Sequence, residues 1–220
     1  MVQRKQYMDK LKKLKDKSII KVITGVRRCG KSTLLLMFRE YLKECGVEDK
    51  QIIAINFEDI ANEPLHDYKK LYEYVVERLV PGKMTYVFLD EVQNVKQFQK
   101  AVDSLFIKDN VDVYITGSNA QMLSGELATL LSGRYIEIGM LPLSFKEYFE
   151  MVGGDKRDAW YGYYQNGGFP YAVKIDDEDI RKDYIAGIYN TVLLKDIVAR
   201  KRISDIQLLE SIIKFLFDNK

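Results

Sequence analysis

Apolar residues recur along this 220-residue chain with two different periods, and the changes of period mark its elements. Near the start, Tyr7, Leu11 and Leu14 return at helical spacing among lysines, which predicts an amphipathic basic helix over 3–17. Five short runs then read as strands, each rich in β-branched or aromatic residues. They are SIIKVITG (18–25), QIIAINFE (51–58), MTYVFLDE (84–91), VDVYITGS (111–118) and YIEIG (135–139). Helical segments fill the gaps at 31–45, roughly 66–80, 95–107 and 120–131. Apolar strands separated by helices predict a five-stranded parallel sheet sandwiched between helices, an α/β fold.

After LPLSF the pattern changes. From about residue 145 no further strand is expected, and MVGGD (151–155) and NGGFP (166–170) punctuate helical stretches. Residues 176–218 read as two or three helices. The predicted plan is an α/β core over 1–145, including the N-terminal helix, followed by a small helical lid region over 146–220. SIIKFLFDNK ends the chain inside an amphipathic helix without a stop signal, so more sequence is expected to follow.

Composition narrows the chemistry. With 47% hydrophobic and 30% charged residues the chain is ordinary globular material. A formal charge of +2 carries no global signature of a nucleic-acid binder. Charge is uneven locally: RKQYMDKLKKLKDK near the start and LLKDIVARKR near the end are basic. Such stretches suit nucleic acid or an anionic membrane surface. For the first, a helix that packs its Leu-Tyr stripe on the domain and leaves its lysines in water is the preferred reading. Two cysteines, Cys29 and Cys45, make no disulfide framework, and His66 is the only histidine. Zinc sites and a Ser-His-Asp triad therefore lack material. No signal-peptide core and no apolar run near ~20 residues is present, so a cytoplasmic protein without a membrane span is expected.

The segment between the first strand and the next helix carries the strongest signal. Gly25-Val26-Arg27-Arg28-Cys29-Gly30-Lys31-Ser32 fits the pattern GxxxxGK[ST]. Glycines let the backbone curl so that successive N–H groups converge on a phosphate. The following helix adds the partial positive charge of its N-terminus. Lys31 reaches β- and γ-phosphates, and the Ser32 hydroxyl is a hard ligand for Mg²⁺. Residues Gly25 through Thr33 are thus the nucleotide-binding candidates. The strand YVFLDE delivers Asp90 and Glu91 at its C-terminal end, where open parallel sheets bind ligands. Asp90 suits magnesium, and Glu91 suits orienting and deprotonating a water for in-line attack. A third strand, VYITGSNA, ends in Thr116, Ser118 and Asn119, any of which can hydrogen-bond that water or the γ-phosphate; Asn119 is weakly preferred over Ser118.

ITGVRRCGKSTLL, INFED, VFLDEVQNV, ITGSNA, LSGRYIEIGMLPLSFKEY and GGFPYAV together resemble the AAA ATPases of bacteria and archaea, in the branch with a C-terminal domain of unknown function. The resemblance implies the additional-strand P-loop fold, the strand at 51–58 separating the P-loop and Asp-Glu strands in sequence. It implies ATP as nucleotide, Mg²⁺, Lys31 and Ser32 as phosphate and metal contacts, and Asp90 with Glu91 as the hydrolytic pair. Asn119 or Ser118 becomes the sensor residue. Arg134 becomes a candidate arginine finger offered to a neighbouring subunit, which requires a homo-oligomer. A second sensor arginine has only Arg200 and Arg202 as candidates. Family members are longer, with further C-terminal domains through which DNA contact is conceivable.

Other features read more plainly. Arg27 and Arg28 are expected to point away from phosphate. Cys29, beside a helix N-terminus, is expected to favour its thiolate. Glu58 and Asp59 read as loop acids, and Gly167, Gly168 and Pro170 as a turn. ATP hydrolysis leads the functional readings. A nucleotide-held binding switch with negligible hydrolysis is the alternative, and a small-molecule kinase ranks lower because Glu91 favours water as acceptor.

Overall fold

The computed structural model describes residues 2–118, 131, 133–192 and 205–219. The chain divides into two compact units, residues 1–174 and 175–220.

In the first unit, helix α1 (Lys5–Leu14) precedes strand β1 (Ile20–Thr24) and helix α2 (Lys31–Glu44). Then follow β2 (Ile52–Asn56), α3 (Tyr68–Val76), β3 (Thr85–Asp90), α4 (Phe98–Phe106), β4 (Val111–Gly117) and β5 (Tyr135–Gly139). Helices α5 (Phe145–Val152) and α6 (Lys156–Asn166) complete it. The expected strand at 51–58 is shorter, because Asn56 starts a turn by accepting Glu58 N–H on its side chain at 2.8 Å. The helix expected from about 66 starts at Tyr68, where Asp67 caps two N–H groups. The helix expected at 120–131 lies, but for Leu131, outside the described residues.

All five strands run parallel in the order β2-β3-β4-β1-β5. Strand β2 does separate the P-loop and Asp-Glu strands in sequence, but it lies at the sheet edge. The strand inserted between them in space is β4. Every residue of β1 and of β3 is buried, as a sheet covered on both faces requires. Alternation decides the face. Val22, Val87, Leu89, Val113 and Ile115 pack with Leu71 and Val75 of α3 and with Val102 and Leu105 of α4. Ile23, Phe88 and Tyr114 point the other way, into Leu34 and Phe38 of α2 and Tyr7 and Leu11 of α1. The stripe read from α1 is therefore its buried face, and its lysines line the outside.

Below β5, Ser144 and Glu147 form a capping box at the start of α5. Phe145, Trp160 and Tyr163 then pack α5 against α6 through ring contacts of 4.9 and 5.7 Å. The second unit contains α7 (Glu178–Thr191) and α8 (Ile206–Asp218), capped by Asp177 and Asp205.

Candidate functional site

The sheet register fixes where the chemistry gathers. Thr24 pairs with Gly117 and Ile115 with Leu89, so the C-terminal ends of β1, β4 and β3 lie side by side. The glycine loop, Ser118 and the Asp90-Glu91 pair leave from these ends.

Close packing shapes the loop. A Cβ on Gly25 would stand 2.3 Å from the Met140 carbonyl oxygen, because β5 continues alongside β1 through Met140 N–H donating to Thr24 O at 2.7 Å. Gly30 has φ 104°, a conformation that disfavours a side chain, and it starts α2 by accepting Leu34 N–H at 2.9 Å. Arg28 sits at φ 63°, uncommon for a residue with a Cβ. Ser32 and Thr33 lie exposed on the first turn of α2. Such a loop, opening onto the N-terminus of a 14-residue helix, is a cradle for anionic oxygens.

Lys31 is 4% exposed. Its ammonium donates to Gly25 O at 3.2 Å and Val26 O at 3.3 Å, and lies 3.4 Å from Glu91 Oε1. These are long contacts for a buried ammonium. Asp90 ends β3, where its Oδ1 accepts the Thr116 hydroxyl at 2.5 Å. Thr116 Oγ1 in turn accepts Glu91 N–H at 2.9 Å, so one hydroxyl on β4 holds both acidic residues. Glu91 adopts φ 54°, a left-handed turn that swings its carboxylate toward the loop. Its Oε2 accepts Ser118 Oγ–H at 2.6 Å and the Gln93 amide at 2.5 Å. Burial alone would raise the Glu91 pKa. The Lys31 charge and these two donors outweigh it and hold the carboxyl below the usual range.

Lys31, Asp90, Glu91 and the loop glycines are thus brought together, joined by Ser118. Asn119, Arg200 and Arg202 lie outside the described residues. Arg134 lies just before β5 at the opposite end of the sheet, its guanidinium 5.9 Å from the Phe106 ring. Five strand residues, about 16 Å at the usual rise, separate it from the level of the loop, so it does not serve this chain's own loop. Arg27 faces Glu58 at 3.7 Å, linking the loop to the end of β2, and Asp59 caps the turn after it by accepting Ala61 N–H. Cys29 departs from expectation. It is fully buried, and burial pushes its thiol pKa up, despite the opposing charges of Lys31 and Arg4.

Two features escaped sequence reasoning. Gln93 holds the Glu91 carboxylate, and the only available sign was its place two residues after the acid in the tight turn Val92–Asn94. The glycine pair at 167 and 168 does more than turn the chain. A Cβ on Gly168 would stand 2.2 Å from Leu143 O, and Pro170 lies 3.9 Å from where a Gly30 Cβ would be.

For a magnesium ion, the donors at hand are Asp90 and the Ser32 hydroxyl. No group of three or more His, Cys, Asp or Glu side chains gathers among the described residues. One carboxylate with one hydroxyl fits a magnesium that keeps waters and shares substrate phosphates. Among the described residues no helix is long and apolar enough to cross a membrane.

A family model described as an AAA domain matches residues 17–149. An uncharacterized protein of Haemophilus influenzae is 41% identical over 225 residues, covering 100% of this chain and 56% of the relative. An uncharacterized protein of Methanocaldococcus jannaschii is 31% identical over 219 residues, covering 91% of this chain and 47% of the relative. The chain therefore spans about half the length of these two curated relatives. Among solved structures, a Walker-type ATPase of Pyrococcus abyssi superposes with a TM-score of 0.58 at 17% identity, over 93% of this chain and 77% of that one. The ORC2 protein of Aeropyrum pernix in its ADP form gives 0.51 at 13% identity, over 76% and 59%. These two likenesses are of fold, and the fold is the parallel P-loop sheet described above. The match over residues 17–149 shows the family: this chain belongs to the AAA domain family of P-loop ATPases.

Proposed function

We propose that this chain binds Mg·ATP in the loop Gly25–Thr33 and hydrolyses it to ADP and phosphate. One observation carries the reading: Glu91 Oε1 lies 3.4 Å from Lys31 Nζ while Glu91 Oε2 is held by two donors. A phosphate-binding cation and a base beside it are what transfer of a phosphoryl group to water requires.

The triphosphate competes for Lys31, whose present partners are long and weak, and draws its ammonium onto the β- and γ-oxygens. Glu91 Oε1 then loses its cation and accepts a proton from the water that attacks the γ-phosphorus. The new bond is water oxygen to phosphorus; the bond to the β–γ bridging oxygen breaks, and ADP leaves with that electron pair. Magnesium, when bound, neutralises charge on the phosphate oxygens, with Asp90 and Ser32 as its protein donors. Ser118 is the polar sensor of the site. Arg134, at the far end of the sheet, serves the nucleotide of a neighbouring copy, and the helices after residue 145 respond to nucleotide state.

Phosphate release from Mg·ATP, measured over a range of protein concentrations alongside binding of a fluorescent ATP analogue, tests this. Glu91→Gln is expected to keep binding and lose on the order of 10²–10⁴-fold in kcat, the usual contribution of a general base. Arg134→Ala is expected to abolish the more-than-linear rise of activity with protein concentration. Binding without phosphate release at any concentration would refute hydrolysis and leave a nucleotide-held switch.

A further inference from the structure

The Glu91 carboxylate is held asymmetrically. Oε2 receives two neutral donors, Ser118 Oγ at 2.6 Å from the end of β4 and Gln93 Nε2 at 2.5 Å from the turn that follows β3. Oε1 receives neither and faces Lys31. A carboxylate beside an ammonium only accepts, so the Gln93 amide presents its NH₂ group and not its oxygen. The amide oxygen is buried and meets no donor among the described residues, which leaves the contact with Glu91 as what orients the side chain.

The backbone explains why a second clamp is needed. Glu91 stands at φ 54° between a strand and a turn of three residues, and its side chain leaves a conformation that a residue with a Cβ seldom adopts. Once Lys31 turns to the triphosphate, Ser118 alone, one short hydroxyl, fixes one oxygen but leaves the carboxylate free to rotate about that contact. A second donor, two residues along in its own turn, removes that freedom and turns Oε1 toward the loop.

We propose that Gln93 is a positioning residue: with Ser118 it clamps Oε2 of Glu91, so that Oε1 alone is presented as the base. This rests on the hydrolytic reading above. Gln93 touches neither nucleotide nor water in this scheme and acts only through Glu91. Its loss should slow the chemical step and leave nucleotide binding alone.

The test uses the full chain and measures kcat and the dissociation constant for Mg·ATP separately, with thermal unfolding as a check of folding. Gln93→Leu is expected to lower kcat on the order of 10–100-fold, the usual cost of a misplaced reacting group, with ATP affinity within about twofold. Gln93→Glu keeps the shape but sets carboxylate against carboxylate, and should lose at least as much. The deciding measurement is a cycle with Glu91→Gln: once Glu91 is replaced, Gln93→Leu should cost nothing further in residual activity. Should Gln93→Leu unfold, Gln93→Met, an unbranched side chain of similar length with no N–H donor, takes its place in the same cycle. Wild-type kcat in Gln93→Leu, or an equal loss in the Glu91→Gln background, overturns the proposal while the hydrolytic reading stands. Absence of turnover in the wild type overturns both.

Discussion

Two buried lysine–carboxylate pairs sit at different levels of the same sheet. Lys21 and Asp112, on neighbouring strands β1 and β4, have side chains only 0% and 2% exposed. The side chains of Lys31 and Glu91 are 3% and 8% exposed. Burial and charge hardly distinguish them, but their partners do. Asp112 accepts the Lys21 ammonium, Asp16 N–H at 3.0 Å and the Tyr114 hydroxyl at 2.8 Å. Lys21 also donates to Lys17 O at 2.7 Å and lies 5.2 Å from the Tyr114 ring centre. Tyr86 extends the network by donating to Asp16 at 2.7 Å. Burial pushes Asp112 up and Lys21 down in pKa, each opposed by the other's charge. Both residues stand in regular strands. Around Lys31, by contrast, contacts run from 3.2 to 3.4 Å, and Arg28, Gly30 and Glu91 all take left-handed backbone angles. The first pair is saturated and ties the end of α1 to the sheet. The second is loosely held among strained residues, which is where function is expected. A buried ion pair by itself says little about function; how completely it is satisfied says more.

That contrast can be broken experimentally. The largest effect on stability should come from Lys21→Met, which strands the Asp112 carboxylate in the core. A loss of about 3–5 kcal/mol is expected from denaturant titration, the usual cost of breaking a buried pair. Replacing both, Lys21→Met with Asp112→Leu, should recover most of it, and ATP turnover per folded molecule should be unchanged in the double variant. If Lys21→Met spared stability but abolished turnover, the two pairs would have to exchange roles.

Thr116→Val probes the strand that runs between the two regions. It removes the hydroxyl shared by Asp90 and Glu91 N–H and leaves that buried N–H without its acceptor. About 1–3 kcal/mol of stability should be lost, together with turnover. Unchanged turnover would show that Asp90 and Glu91 are held without it.

The smallest effect concerns pH. Burial pushes Tyr86 up to about 12 from an ordinary value near 10, and its donation to Asp16 adds to this. A group with a raised folded pKa contributes stability that is complete below about pH 10 and lost as pH rises toward 12. Tyr86→Phe should therefore flatten the alkaline fall in stability, followed by denaturation at stepped pH. An unaltered alkaline limb would exclude Tyr86 from that fall.

Much of this molecule was legible one segment at a time. The glycine loop is contiguous, and its spacing, its lysine and the helix behind it all act within ten residues. Asp90 and Glu91 close an apolar run, and period-two alternation marks strands wherever they lie. The stripe of α1 likewise records which of its sides is buried. Such local physics determined that strands and helices alternate, that a glycine-bounded turn leads from β1 into α2, and that two carboxylates stand at the C-terminal end of the third strand run.

Tertiary structure decided the rest, because periodicity records that a side chain is buried and not what it is buried against. Nothing near β1 says that β4 lies between it and β3, yet that placement puts Thr116 and Ser118 on Asp90 and Glu91. Lys21 reads as a polar interruption of an apolar strand until Asp112, 91 residues away, is paired with it. Cys29 appears well placed to ionise until the packing of β1, α2 and Met140 shuts it from water. Gln93 looks like one more polar turn residue until Glu91 takes its left-handed bend and meets its amide. Each of these depends on contacts between segments distant in sequence or on one unusual dihedral angle, and a pattern of residues along the chain encodes neither.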